Sequence, residues 1–89
     1  MSSQDAFVVD DSVMAFFNER SKREREELLR IFKSLADDPY QRGDWRQKAK
    51  SGRDLQVKRF GKWLLTFWLD SPVLEVKIVD VIPFTRNNR

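Results

Sequence analysis

Between Arg42 and Lys62 the chain carries eight basic side chains: Arg42, Arg46, Lys48, Lys50, Arg53, Lys58, Arg59 and Lys62. Only two acids, Asp44 and Asp54, stand among them. Cations gathered in this way hold phosphates or an acidic protein surface, so the chemistry on offer is electrostatic recognition of a polyanion. The plainer alternative is a solvated surface loop. The preceding region, Asp10 to Pro39, has eight acids against six bases, so the formal net charge of +3 is very unevenly placed. Trp45 lies among Arg42, Arg46 and Lys48. There it can stack on a base or pin the loop onto a sheet, and the second is the commoner fate of a large aromatic.

The residue types that are missing narrow the chemistry further. Histidine and cysteine are both absent. Zinc sites of the usual kind, disulfides and any mechanism built on an imidazole base are therefore excluded, and no metal or cofactor is expected. Asp5, Asp10 and Asp11 interrupt the stretch where a signal peptide needs apolar residues. The longest apolar run is about seven residues, against the ~20 of a membrane-crossing helix. A cytoplasmic protein with no membrane partner is the expectation. Its 89 residues, 40% of them apolar, allow one domain over 1–89 with a modest core, a basic tail over 84–89 and no large buried cavity.

The elements that must position the cations read clearly toward the C-terminal end. Leu55–Phe60, Trp63–Leu69 and Leu74–Ile82 are three consecutive antiparallel strands, joined by Gly61-Lys62 and by Asp70-Ser71-Pro72. The middle run is apolar on both faces except at Thr66, which marks a central strand. The outer two alternate: Leu55 and Val57 are expected toward helices, with Gln56 and Lys58 on a cationic face, and Leu74, Val76 and Ile78 oppose Glu75 and Lys77. Upstream, Ala6–Val9 reads as an edge strand. Asp10 or Asp11 caps a helix carrying Val13, Phe16 and Phe17. Ser21-Lys22-Arg23-Glu24 fits a capping box and starts a second helix, with Leu28, Ile31, Phe32 and Leu35 on one face, ended by Pro39. Tyr40 to Arg53 shows no period and reads as a long loop. The sum is an α+β fold, a two-helix hairpin packed on a small, mostly antiparallel four-stranded sheet.

In this order of elements the chain resembles the RelE/ParE superfamily of type II toxin–antitoxin toxins. Three stretches carry the likeness: Leu35-Ala36-Asp37-Asp38-Pro39 at the end of the second helix, Gly52-Arg53-Asp54-Leu55-Gln56-Val57-Lys58 leading into the first meander strand, and Trp63 to Val81 across the last two. The resemblance implies a basic surface between loop and sheet. In the RNA-cleaving branch that surface enters the ribosome and cuts mRNA through attack of a 2′-hydroxyl on the adjacent phosphate. Such cleavage needs a base, an acid and cations for the developing charge.

By the same resemblance Lys58 falls where the family places a catalytic lysine, and Arg86 lies two residues beyond the place of a family arginine, which Phe84 occupies. Gln56 replaces a companion lysine, Leu64 a strand arginine, and the family's terminal acid–base group has no counterpart. Lys58 and Arg86 are thus the candidate catalytic residues. Arg46, Lys48, Lys50, Arg53, Arg59, Lys62 and Lys77 are the candidate RNA-binding set. The implied partners are a cognate antitoxin with an acidic-apolar segment, and the ribosome with its mRNA. A ParE-like inhibitor of DNA gyrase without nuclease activity, or a non-toxic binding relative, are the alternatives.

Overall fold

The computed structural model describes residues 7–84 of the chain. Seven elements follow in order: β1 (Phe7–Val9), α1 (Asp11–Asn18), α2 (Lys22–Asp37), β2 (Trp45–Lys48), β3 (Asp54–Phe60), β4 (Trp63–Asp70) and β5 (Glu75–Pro83). They form two helices on a mixed, mostly antiparallel five-stranded sheet of order β1-β5-β4-β3-β2, in which only the β1–β5 pair is parallel. The helical hairpin breaks at Ser21, whose hydroxyl accepts the Glu24 backbone N–H at 3.2 Å. The N-cap of α1 is Asp10, which makes no side-chain capping bond.

One layer of side chains holds helices to sheet. Trp63, Leu65 and Phe67 of β4 and Val76, Ile78 and Val81 of β5 meet Val13, Leu28, Phe32 and Leu35, all nearly inaccessible to solvent. The apolar positions of β5 are not evenly spaced, and the pairing explains why. Thr66 pairs with Asp80 but Phe67 with Ile78, so Val79 is an extra residue, and the bulge returns Val81 to the buried side. Trp63 is buried without leaving its indole N–H unsatisfied, because that group donates to Glu27 Oε1 at 3.2 Å. Phe16 meets the same indole edge-on at 5.8 Å between centroids.

The sheet has five strands rather than the four expected. The additional one, β2, lies inside the stretch read as a loop. All four of its residues are exposed, so it has no apolar alternation for a period to reveal; its backbone ladder to β3 defines it. It is tied down at its start. The Asp44 N–H donates to Val57 O at 2.7 Å, and the Asp44 carboxylate accepts the Arg59 N–H at 2.9 Å. Gly43 N–H donates to Gln56 Oε1 at 2.7 Å. The main chain passes so close here that a Cβ on Gly43 would sit 2.5 Å from the Val57 carbonyl oxygen.

Two further expectations change. β5 begins at Glu75, because Leu74 adopts a left-handed φ of 52° and belongs to the turn, half-exposed. The facing of β3 is also reversed. Lys58 pairs with Leu65, and Val57 with Thr66. Residues directly opposite share a face, so Gln56, Lys58 and Phe60 stand on the helix-backed side, while Leu55, Val57 and Arg59 stand on the other, the open face. Leu55 and Val57 are buried there without joining the main core. The helices pack against β1 and β5. Lys58 reaches partial exposure on the helix side. The Ala6 end of the predicted edge strand, and residues 85–89 of the predicted tail, lie outside the described residues. Phe84 itself is anchored, its N–H donating to Lys62 O at 2.7 Å.

Candidate nucleic-acid interface

Register sorts the cations before any side chain is considered. Odd positions along β3, and Arg53 just before it, face outward, away from the helices, so Arg53 and Arg59 share the open face with Trp45, Leu64, Thr66, Trp68, Lys77, Asp80 and Ile82. Arg53 lies over the Trp68 ring, its guanidinium carbon 3.6 Å from the centroid. Arg59 lies over Phe84 at 4.6 Å and donates through Nε to Gly61 O at 2.8 Å. Each arginine thus lies over an aromatic ring, a contact that favours the cation over the ring face and helps fix its position. Neither is ion-paired among the described residues.

The lysines are differently placed. Lys77 bonds Glu75 at 2.9 Å and lies 3.7 Å from Asp70. The Glu75 hydrogen bond, ahead of the nearby negative charges, pushes the Lys77 ammonium above its ordinary value. Lys48 pairs with Asp54 at 2.8 Å across the β2–β3 hairpin, and this bond holds the Asp54 carboxyl below its usual range. Lys62 reaches back to Glu24 of α2 at 2.7 Å, and its hydrogen bond lowers the Glu24 pKa. That contact straps the β3–β4 turn to the helix. Of the predicted RNA-binding lysines, Lys48, Lys62 and Lys77 are therefore already neutralised. Lys50 is exposed in the hairpin turn and Arg46 on β2.

Lys58 stands on the opposite face from Arg53 and Arg59, 5.5 Å from the Phe60 ring. Arg86 lies outside the described residues. One pocket shared by Arg53, Lys58 and Arg86 is not formed by the residues that are described: alternation along β3 sends positions 53 and 58 to different sides. The middle of the open face is instead mixed, with Leu64 opposite Ile82, Val57 opposite Thr66, and Thr66 in turn opposite the exposed Asp80. Among the described residues no group of acidic residues is arranged to hold a metal ion.

A groove of about 450 Å³ opens at one end of the sheet, where the α2–β2 connection meets the start of β3 and the end of β4. Tyr40, Arg42, Arg53, Gln56, Trp68 and Asp70 line it. In the sequence Arg42 is one member of the basic run with nothing to single it out. Tyr40 is equally unmarked there, and Trp68 reads as part of the apolar central strand. The one available signal was Tyr40-Gln41-Arg42 directly after Pro39, a polar aromatic stretch where a helix has to stop.

No protein-family model matches this sequence, and no curated protein matches it significantly. A solved structure does. The crystal structure of the archaeal RelE–RelB complex from Pyrococcus horikoshii OT3 superposes with a TM-score of 0.70 at 16% identity, over 92% of this chain and 97% of that one. The chain has the RelE fold, as its order of elements led one to expect. No helix among the described residues is long and apolar enough to cross a membrane.

Proposed function

We propose that this chain is the toxin of a RelE-like toxin–antitoxin pair and that it acts by binding RNA at the ribosome. The observation that carries the reading is the open face, where Arg53 and Arg59, each over an aromatic ring and each without a carboxylate partner among the described residues, bracket a half-exposed Trp45. Fixed, unpaired arginines beside aromatic surfaces suit phosphates and unstacked bases. Cleavage is a separate matter. Lys58 as base would have to act from the far side of the sheet, so binding rather than strand scission is the activity this face supports.

The antitoxin belongs to the same proposal. A second groove, of about 390 Å³, runs between α2 and the β3–β4 turn. Ile31, Phe60 and Trp63 provide apolar lining and Arg30 provides positive charge, while Lys62 is paired with Glu24 and Glu27 accepts from Trp63. An acidic-apolar segment complements that mixture, and the similar archaeal RelE was crystallised with RelB.

A second reading has one observation in its favour. Leu64 and Ile82 pair across the open face, and Ile82 is 44% exposed. An apolar floor of this kind suits a protein partner, as in a ParE-like inhibitor of gyrase. Induction in a bacterial host separates the two. Arrested translation that Arg53→Ala with Arg59→Ala relieves, and Lys58→Ala does not, supports RNA binding. Filamentation with DNA damage supports the gyrase reading, and unimpaired growth removes the toxin assignment.

A further inference from the structure

The groove at the end of the sheet differs from the open face in what it offers a ligand. Two carboxylates, Asp54 and Asp70, stand in its wall, yet each has a lysine of its own: Lys48 at 2.8 Å and Lys77 at 3.7 Å. The two arginines of the wall, Arg42 and Arg53, have no acidic partner among the described residues. The net demand of the groove is therefore for an anion. Its aromatic content is just as specific. Tyr40 is 69% exposed although it sits directly behind the end of α2. The inner face of the Arg53 guanidinium is already taken by the Trp68 ring at 3.6 Å. Its outer face remains as a flat, charged surface of the kind on which bases stack.

We infer that this groove is a nucleotide site: it takes one unstacked nucleotide, the phosphate held by Arg42 and Arg53 and the base layered against Arg53 and Tyr40. The inference rests on the RNA-binding reading for its biological setting but not for its physics. The size fits, since small-molecule sites run from ~300 Å³ upward and the groove offers about 450 Å³. The site discriminates against paired strands, because a base inside a duplex has no face to present.

Trp68 supplies the measurement. With Trp45→Phe as background, which leaves the buried Trp63 as a constant signal beside Trp68, intrinsic fluorescence is titrated with a ten-residue single-stranded RNA, the corresponding duplex, and adenosine monophosphate. The single strand is expected to perturb the signal and the duplex to bind about ten-fold more weakly. Arg42→Ala is expected to weaken the single strand about ten-fold and to lower the slope of log affinity against log salt by ~1. Tyr40→Ala is expected to cost about ten-fold at unchanged slope, with Tyr40→Phe restoring it. Tighter binding of the strand than of the monophosphate makes the nucleotide part of an RNA chain. Equal affinities make it a free nucleotide, and either result retains the site. Wild-type affinity in both Arg42→Ala and Tyr40→Ala overturns it, as does equal binding of duplex and single strand. Growth arrest is read separately: a chain that binds in vitro but arrests nothing loses the toxin reading and keeps the groove. A chain that arrests growth while both variants bind normally loses the groove and keeps the reading.

Discussion

The β1–β5–β4 half of the sheet and the β3–β2 half obey different rules. The first is backed by both helices and carries the buried layer of Trp63, Leu65, Phe67, Val76, Ile78 and Val81. The second has little helix above it and ends in a strand with every side chain exposed. Its cohesion comes from the backbone ladder and from polar clamps such as Asp44 to the Arg59 N–H. Charges have accumulated where the main buried layer does not reach and only Leu55 and Val57 of β3 are buried. A small protein can in this way keep stability on one side and recognition on the other, and substitutions in the two halves should report on different properties.

The sharpest way to break that division is to cut into the buried layer. Leu65 has no accessible surface, and Leu65→Ala should cost about 2–5 kcal/mol in chemical denaturation, a large share of the stability of a domain this small. A comparable loss from a β2 substitution would erase the contrast. Gly43→Ala comes next. Its Cβ would collide with Val57 backbone at 2.5 Å, and forced overpacking costs about 1–3 kcal/mol. Hydrogen exchange at Arg59 and Val57 should show the loss confined to the β2–β3 edge. Asp44→Ala removes one hydrogen bond of that edge, and a loss of about 1 kcal/mol is expected.

Smaller still are the effects of the charged residues. Arg59→Ala should leave stability within about 0.5 kcal/mol while lowering RNA affinity and its salt dependence. The pH profile sharpens the same point from the other side. Glu24 and Asp54 have folded-state values below the ordinary ones, so their contribution is complete above those ordinary values and is lost as pH falls through the lowered ones. Lys77 is raised, so its contribution is complete below its ordinary 10.5 and is lost as pH climbs through the raised value. Thermal melts should show a shallow plateau between these limits. Glu24→Gln should flatten the part of the acid limb that comes from the Lys62 strap.

How much of this was legible in advance depends on which interaction holds each element. Leu28, Phe32 and Leu35 mark α2 by their spacing, because a helix buries one stripe. Trp63–Leu69 reads as central because both its faces carry apolar groups. Trp45–Lys48 escaped notice since nothing of it is buried, and ladder bonds leave no trace in side-chain type. The facing of β3 is ambiguous in the sequence for a related reason. Leu55 and Val57 are buried, but on the open face, and alternation states that two faces differ without stating which one meets the helices. Only the pairing of Lys58 with Leu65 decides it.

The charge asymmetry, the absence of histidine and cysteine, the helix break at Ser21 and the three-strand meander follow from residue types and their spacing. These are local matters, determined within a few residues along the chain. Tertiary structure decided which cations stand together. It paired Lys48 and Lys62 with acids of other elements and Lys77 with Glu75 of its own strand and Asp70 of β4, and it set Arg53 on Trp68 and Arg59 on Phe84. The physical reason is that strand register and the packing of distant aromatics are long-range properties: one residue of slip would send every one of these side chains to the other face.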